Sequence, residues 1–293
     1  MRRYSKRFTS ACTGPWPIST TSERVARRSR LDVELVRRGL ARSREQAREL
    51  VEGGRVKVAG LVAEKPATQV DPATPVTVVE VPGEPPYASR GGRKLAGALD
   101  RFVPQGLVVA GRRCLDAGAS TGGFTDVLLR AEAASVVAVD VGYGQLAWSL
   151  RTDSRVHVLD RTNVRNLTAA DLPDGPVSLV VADLSFISLG LVLPALRACA
   201  EDDGDFILMV KPQFEVGRDR IGSGGVVRDP QERSDAVRAV ADRAAELNLG
   251  VAGITASPLP GPAGNVEYFV WLRTAAPPLD LGDLRRAVMD GPP

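Results

Sequence analysis

Hydrophobic and polar residues near the N-terminus follow a helical repeat first and a strand-like alternation afterwards. The apolar residues that begin at Leu31 share one face of a 3.6-residue repeat, and Gly39 is placed to end this helix. Ser43 begins a second helix, because Gln46 follows it at the spacing of a capping box. Strand-like alternation follows at RVKVAG (55–60) and VTVVEV (76–81). The pattern predicts a small α/β unit over residues 24–81.

From residue 113 onward, strand-like runs alternate with helix-compatible segments. The strand-like runs are CLDAG, SVVAVDVG, VHVLD, VSLVVADLSF, DFILMVKP, VAGITAS and VEYFVWLRT. The clearest helix spans 229–250, with Asp229 as N-cap, Pro230 at the first helical position and Gly250 after the last. Such alternation predicts a parallel, doubly wound sheet. Only PLPGPAGN separates the last two runs, which is too short for a helical crossover, so we expect the last strand to run antiparallel.

Seven strands with the last one reversed are the arrangement of the Rossmann-like methyltransferases, which this region resembles. We therefore expect an α/β methyltransferase domain over residues 89–275. The proline-rich segment PGEPPYA (82–88) is predicted to link it to the N-terminal unit. Residues 1–23 and 276–293 are predicted to be terminal tails, the first of them disordered.

Composition narrows the classes of protein to consider. No apolar run approaches the ~20 residues that span a bilayer, and no continuous apolar stretch follows the basic start MRRYSKR, so we expect neither a membrane span nor a secretory signal. The three cysteines, Cys12, Cys114 and Cys199, are isolated, and the chain has one histidine. These counts disfavour a zinc site or a disulfide framework, and we expect no metal and a cytoplasmic location.

Charge is distributed unevenly along the chain. Residues 1–94 carry 19 Lys+Arg and 10 Asp+Glu, a balance of +9, whereas the remainder carries 19 and 25, a balance of −6. This asymmetry indicates a basic module that meets a polyanion, although a solvated basic surface would have the same count. The segment RLDVELVRRGLARSREQARELVEGGRVKVAG resembles the S4-type RNA-binding domains, which implies recognition of structured RNA by its shape and backbone. The candidate RNA-binding residues are Arg30, Arg37, Arg38, Arg42, Arg44, Arg48, Arg55 and Lys57.

The stretch LDAGASTGGF (115–124) fits two kinds of site. It contains the G-x-S-x-G elbow of a hydrolase, but the sole histidine, His157, falls in a predicted strand soon afterwards rather than on a late loop. As a glycine-rich turn after a strand, it would instead hold a nucleotide-like cofactor at a helix N-terminus. The spacing G-x-S-x-G-G and the reversed last strand favour S-adenosylmethionine over a nicotinamide cofactor. The candidate cofactor-binding residues are Asp116, Gly118, Ser120, Thr121, Gly122, Gly123, Asp140, Asp160 and Asp183, with a surface or capping role as the alternative for Asp160.

Four charged residues are placed to meet at one crevice of the predicted sheet. Asp183 ends the fourth strand, Lys211 ends the fifth, Glu267 opens the reversed seventh, and Lys94 lies in the helix before the first. Carboxyl ends of parallel strands face the ligand crevice, and a reversed strand presents its N-terminal end there. These four residues are therefore the catalytic candidates, suited to activating a ribose 2′-hydroxyl.

Methylation of a base is the alternative chemistry. A D/N-P-P-Y/F loop would favour an amino group, but DLSF (183–186) stands in that place without either proline. Cytosine C5 methylation would need a catalytic cysteine, whereas Cys114 and Cys199 read as buried packing residues. A membrane-active haemolysin or a protein that only binds RNA is the competing class, although no amphipathic lytic segment is evident. We expect the glycine- and arginine-rich segment 217–230 to form a mobile lid over RNA.

The four charged residues resemble the Lys-Asp-Lys-Glu tetrad of the RrmJ/FtsJ-type 2′-O-methyltransferases. The chain from Arg24 to Arg273 is similar to the TlyA-type, or haemolysin A, family of ribosomal RNA cytidine-2′-O-methyltransferases. The matching stretches include SRGGRKL, CLDAGASTGGFTDVLL, DVGYGQLAWSLR, VVADLSFISL, VKPQFEVG, GGVVRDP and SPLPGPAGNVEYFVWLR. The resemblance implies S-adenosylmethionine as cofactor, cytidine ribose in 16S and 23S ribosomal RNA or assembled subunits as substrate, and sensitivity to capreomycin-type drugs that depends on the modification. The linker residues PPYA depart from the family, because some relatives carry an arginine- and tryptophan-containing segment there.

Overall fold

A computed structural model describes residues 28–41, 44–79, 87–217, 220–261 and 263–291. The chain divides into two compact units, Met1–Pro82 and Gly83–Pro293. The predicted tail at 1–23 and most of the predicted linker lie outside the described residues. Ala88, which the sequence assigned to the linker, is buried in the second unit, and its N–H donates to Asp126 Oδ2 at 2.8 Å.

The first unit has two helices and five short strands among its described residues. These elements are β1 (Ser29–Arg30), α1 (Leu31–Arg37), α2 (Arg44–Glu52), β2 (Val56–Val58), β3 (Leu61–Val62), β4 (Gln69–Val70) and β5 (Val76–Val78). Strand β1 pairs antiparallel with β4, and β2 pairs antiparallel with β3 and β5. The facing sides of the helices meet at Leu31, Leu35, Ala47 and Val51, each at most 1% exposed. Helix α1 ends two residues before Gly39, whose φ of 70° is the left-handed conformation of a helix-terminating residue.

In the described part of the second unit, seven strands form one sheet in the order β11-β12-β10-β9-β6-β7-β8. The strands are β6 (Arg113–Ala117), β7 (Ser135–Val139), β8 (Val156–Leu159), β9 (Val177–Ala182), β10 (Ala200–Val210), β11 (Leu249–Ala256) and β12 (Tyr268–Thr274). The helices are α3 (Gly91–Phe102), α4 (Gly123–Arg130), α5 (Trp148–Arg151), α6 (Leu189–Ala198), α7 (Pro212–Glu215), α8 (Pro230–Ala245) and α9 (Leu281–Met289). Strand β12 runs antiparallel to both neighbours, and the pairs among β6 to β10 are parallel, as the sequence predicted.

Apolar side chains cover both faces of this sheet. Because successive strand residues point to opposite faces, Leu115 and Ala117 pack with α6 and α8 on one side, and Cys114 packs with α3 and α4 on the other. The result is a three-layer α/β/α domain. The strand order reverses at β6, which has β7 on one side and β9 on the other, and ligands bind at the carboxyl edge of such a switch point.

The C-terminal segment 276–293, predicted to be a tail, contains helix α9. The Asp280 carboxylate accepts from the Asp283 N–H at 2.8 Å and caps this helix. Leu284, Ala287 and Val288 are buried in the sheet's core, at the i, i+3, i+4 spacing of one helical face. The helix is only nine residues long and follows two prolines, so its periodicity is weak in the sequence.

We expect Leu284→Ala to lower the free energy of unfolding by about 2–4 kcal/mol, because it leaves a cavity beneath α9. Leu281→Ala, on the same helix, is the matched control, since Leu281 is 59% exposed and its loss should change stability by no more than about 0.5 kcal/mol. Urea denaturation measures both variants. Equal midpoints would show that the packing of α9 contributes nothing to the fold.

Candidate active site

The four predicted catalytic side chains form two ion pairs at the carboxyl edge of the sheet. Lys94 Nζ on α3 lies 2.5 Å from Glu267 Oε2, just before β12. Lys211 Nζ, just after β10, lies 2.6 Å from Asp183 Oδ1, just after β9. The first turn of α3 also lies close to Asp183. A Cβ added to Gly91, in that turn, would lie 4.0 Å from Asp183 Oδ2. The structure therefore brings all four residues to one edge.

These charges are largely withdrawn from water. Lys94, Lys211 and Glu267 are 5%, 8% and 1% exposed. Removing charges from water is costly unless each has a partner, and pairing offsets that cost only in part. Clustered, partly desolvated charges at the carboxyl edge of a parallel sheet make this edge a candidate functional site.

The loop between β11 and β12 packs closely against Glu267. A Cβ added to Gly261 would lie 2.7 Å from Glu267 Oε1, so a side chain at this position would displace the carboxylate. Arg90 Nη2 donates to the Pro260 carbonyl at 2.9 Å, which holds the same loop against the start of α3. The sequence identified this loop only as a short connection, and its contact with the Glu267 carboxylate is a feature of the tertiary structure.

The segment predicted as a lid is fastened near the same carboxylate. Asn265, which is 2% exposed, accepts from the Val227 N–H at 2.9 Å and donates to the Gly225 carbonyl at 2.9 Å. Sequence reasoning missed Asn265, since an asparagine in a Pro/Gly loop carries no signal of burial. Residues 218–219 of the predicted lid lie outside the described residues, and its ordering over RNA stays a prediction.

The glycine-rich stretch forms a tight backbone turn between β6 and α4. Gly118 and Gly122 have φ of 88° and 95°. A Cβ on Gly118 would lie 2.5 Å from the Asp183 carbonyl oxygen, and one on Gly122 would lie 2.3 Å from Leu150 Cδ1, so neither position accepts a side chain. Helix α4 begins at Gly123, with its N-terminal N–H groups at the turn. The Thr121 carbonyl accepts from the Ala147 N–H at 3.2 Å, which holds the turn against the start of α5.

Two further predicted cofactor residues lie on neighbouring strand ends. Asp140, just after β7, accepts from the Ser120 N–H at 2.9 Å and the Gly142 N–H at 2.6 Å. Asp160, just after β8, accepts from Arg151 at 2.9 Å and from the Gly144 N–H at 3.3 Å. Asp140 is thus tied directly to the glycine turn, whereas Asp160 pairs with Arg151 of α5, and its contact with a cofactor stays a prediction.

Asp116 is the most deeply buried carboxylate of this site. It is 0% exposed, and Thr125 Oγ1 donates to its Oδ2 at 2.6 Å. Its Oδ1 has no hydrogen-bond partner among the described residues. Burial raises the pKa of Asp116 to about 7; the Thr125 hydrogen bond opposes this shift, and the nearby carboxylates Asp183 and Asp140 add to it.

The two cysteines of the second unit are packing residues. Cys114 and Cys199 are both 0% exposed, and burial raises the pKa of their thiols to about 12 and about 11. A thiol held protonated in the core is a poor nucleophile. Cys12 lies outside the described residues.

In the first unit, two buried carboxylates organise the basic residues. Asp32 is 0% exposed and accepts from Arg30 and Arg44, each at 3.0 Å. Glu34 is 1% exposed and pairs with Arg37 at 2.5 Å and Arg38 at 2.6 Å. The hydrogen bonds from Arg30 and from Arg37, respectively, are the largest of the influences that lower the pKa of each carboxylate to about 2.

The predicted RNA-binding residues differ in how far their side chains are exposed to solvent. Arg37, Arg44 and Arg48 have side chains 59%, 56% and 55% exposed. Arg38 is only 19% exposed and donates to the Thr74 carbonyl at 2.7 Å and the Pro72 carbonyl at 2.8 Å, so it fastens the fold instead. The Arg30 side chain is 40% exposed, and Lys57 is exposed on β2. Arg55 donates to the Val79 carbonyl at 3.1 Å. Arg42 lies outside the described residues.

The described residues contain neither a candidate membrane span nor a candidate metal cluster. Among them no helix is both long and apolar enough to cross a membrane. The same residues contain no cluster of three or more His, Cys, Asp or Glu side chains that could hold a metal ion.

A doubly wound sheet with β12 reversed, a glycine turn after β6 and an acidic residue after β7 define a Rossmann-like methyltransferase domain. Residues 87–274 match the FtsJ-like methyltransferase family, and residues 29–76 match the S4 domain. The chain therefore belongs to the FtsJ-like methyltransferases. Within them it belongs to the TlyA family.

Individual relatives support this assignment over most of the chain. The chain is 60% identical to the 16S/23S rRNA (cytidine-2′-O)-methyltransferase TlyA of Mycobacterium tuberculosis over 92% of its own length and 100% of that protein. It is 34% identical to Hemolysin A of Brachyspira hyodysenteriae, over 82% of this chain and 97% of that one. A solved structure of a provisionally named hemolysin from Streptococcus thermophilus is 38% identical, with a TM-score of 0.72, and covers 90% of this chain and 95% of that one.

We expect Asp116→Asn to change how stability depends on pH. Because the pKa of Asp116 is raised to about 7, the folded protein keeps a proton that the unfolded chain releases near pH 4, so wild-type stability falls as pH rises between these values. Asparagine does not ionise. The free energy of unfolding of the variant, minus that of the wild type, should therefore increase by on the order of 2–4 kcal/mol between about pH 4 and pH 7.

Urea denaturation at several pH values measures this difference. Asp100→Asn is the control, since Asp100 is exposed on α3 and its replacement should leave the difference nearly flat. A difference for Asp116→Asn that stays constant with pH would show that Asp116 is ionised throughout.

Proposed function

We infer that this protein transfers the methyl group of S-adenosylmethionine to the 2′-hydroxyl of cytidine in 16S and 23S ribosomal RNA. The observation that carries the inference is that two largely buried ion pairs, Lys94–Glu267 and Lys211–Asp183, lie at the switch point of a methyltransferase sheet. The name of the Mycobacterium tuberculosis relative supplies the nucleoside, the two RNAs and the position of the methyl group.

The residues beside the glycine turn fit S-adenosylmethionine. Gly118 and Gly122 allow a tight turn at this position, because both have a positive φ and a Cβ at either would clash with neighbouring protein atoms. Asp140 lies at the position where a carboxylate accepts ribose hydroxyls. Asp116 offers a buried carboxylate oxygen without a partner among the described residues, which suits a cationic ligand with N–H donors. When bound, the cofactor supplies an electrophilic methyl group on a positively charged sulfur.

The protein's own part in the chemistry is to orient the hydroxyl and to remove its proton. Lys211 Nζ is the candidate base, and it would take the proton that the 2′-hydroxyl loses as the methyl group passes from sulfur to oxygen. Asp183, 2.6 Å from Nζ, holds this amine in the site and balances the charge that it gains. Lys94 places a second positive charge at the same edge, and Glu267 holds it there at 2.5 Å.

An exposed aromatic ring packs against Phe214, whose own ring centroid lies 6.0 Å from Nζ of the proposed base. Phe186, three residues after Asp183, is 90% exposed, and its ring centroid lies 5.3 Å from that of Phe214. Unstacked RNA bases bind aromatic faces, so this ring is placed to stack on the target nucleotide. Stacking is compatible with methylation of either the ribose or the base, and the chemistry of the product separates the two.

The proposed product can be identified by alkaline hydrolysis. Ribosomal subunits are incubated with the protein and methyl-labelled S-adenosylmethionine, and the RNA is then hydrolysed in alkali. A 2′-O-methyl group blocks cleavage of the adjacent linkage, so the label should appear in an alkali-resistant dinucleotide that contains cytidine. Label in mononucleotides would instead support methylation of a base.

We expect Lys211→Met to reduce the single-turnover rate of methylation by at least about 10²-fold, because it removes the base but keeps the length of the side chain. Lys211→Arg should not restore the rate, since a guanidinium stays protonated. Affinities for cofactor and RNA, measured in parallel, should stay near those of the wild type. A methionine variant with a near-wild-type rate at saturating substrates would eliminate Lys211 as the base.

We expect the replacement of Arg44 to weaken RNA binding and the replacement of Arg38 to weaken the fold. Arg44→Ala should weaken RNA binding and reduce the slope of log affinity against log salt by about one, because it removes one phosphate contact. Arg38→Ala should instead lower stability by about 1–3 kcal/mol, since it leaves the carbonyls of Thr74 and Pro72 without this donor and removes one of the two arginines that pair with Glu34. Salt-dependent binding and urea denaturation measure the two effects. An unchanged salt slope for Arg44→Ala would place the RNA elsewhere.

A further inference from the structure

Ser185 contacts the catalytic pair, although its sequence position gave no sign of a role. It lies two residues after Asp183, in the loop that follows β9. Lys211 Nζ donates to Ser185 Oγ at 2.8 Å. Ser185 itself is exposed, whereas Lys211 is buried, so the hydroxyl lies at the boundary between the amine and the open side of the crevice.

The two partners of Lys211 Nζ differ in kind. Asp183 Oδ1 lies only 2.6 Å away but makes no aligned hydrogen bond, so its contribution is that of a nearby opposite charge. Ser185 Oγ meets the geometry of a hydrogen bond. An ion pair constrains the distance between charges, whereas a hydrogen bond also constrains direction. Among these two contacts, only the one with Ser185 determines which way the N–H groups point.

We propose that Ser185 is a positioning residue that orients the Lys211 amine toward the ribose hydroxyl. Rotation about the Cε–Nζ bond has three staggered minima, so one N–H fixed toward Ser185 fixes the other two tetrahedral directions of the nitrogen. In the neutral amine one of these directions is the lone pair that receives the 2′-hydroxyl proton. The inference rests on the proposed function, in which Lys211 is the base.

A neutral hydroxyl suits this position better than another charge. A second carboxylate beside Nζ would hold the amine more firmly in its protonated form, which cannot accept a proton. The serine hydroxyl accepts from the nitrogen without adding charge. Phe214 closes another side, because its ring centroid lies 6.0 Å from Nζ.

The test replaces Ser185 with alanine and with threonine. Ser185→Ala should lower the single-turnover rate by about 10- to 100-fold, the range for losing a hydrogen bond to an ionisable group, with affinities for cofactor and RNA changed less than about twofold. Ser185→Thr keeps the hydroxyl and should recover most of that rate. Ser234→Ala is the matched control, since Ser234 is a half-buried serine on α8 whose hydroxyl donates to the Pro230 carbonyl, and it should behave as the wild type.

A double-mutant cycle separates positioning from a general structural effect. In the Lys211→Met background, adding Ser185→Ala should lower the residual rate by less than about twofold, because Ser185 acts through the amine that is already absent. A full, additive loss in that background, or a near-wild-type rate for Ser185→Ala alone, would overturn the inference. If Lys211→Met itself keeps a near-wild-type rate, the proposed base fails first, so the two failures are distinguishable.

Discussion

The close approach of two backbone segments, at Gly118 and Asp183, is the contact on which the rest of the site depends. The Asp183 N–H donates to the Ala117 carbonyl at 3.1 Å, and a Cβ on Gly118 would lie 2.5 Å from the Asp183 carbonyl oxygen. The glycine turn that is predicted to hold the cofactor and the loop that carries Asp183 are therefore joined directly. This contact exists because β6 and β9 are neighbours in the sheet and end at the same edge.

Around this contact, charge is buried only where it is paired or can be neutralised. Lys94 and Glu267 are almost wholly withdrawn from water and lie 2.5 Å apart. Among the described residues Asp116 has no cationic partner of this kind, and burial raises its pKa to about 7 instead. Pairing and a raised pKa are the two ways in which a protein accommodates a carboxylate in a medium of low dielectric constant. The site uses both within one crevice.

The first unit uses buried carboxylates for a different purpose. Asp32 and Glu34 lie in α1, and each pairs with more than one arginine guanidinium. Flexible side chains that are already held need to lose less conformational freedom when they bind. The same carboxylates leave Arg37 and Arg44 more than half exposed, while Arg38 is turned inward to backbone carbonyls. A count of basic residues along the chain does not distinguish these two uses of arginine.

The sheet, the glycine turn and the four catalytic candidates were predictable, because strand periodicity is a local property of the chain and the ends of parallel strands face the ligand site in sheets of this kind. Only the tertiary structure paired Lys94 with Glu267 across 173 residues and brought Ser185 to Lys211 across 26. It also showed that α9 packs on the core where a tail was expected. Arg38, expected to face RNA, is largely buried and pairs with Glu34. These outcomes depend on which side chains meet and how much water each loses. Contacts between residues far apart in the chain decide both, and no local pattern records them.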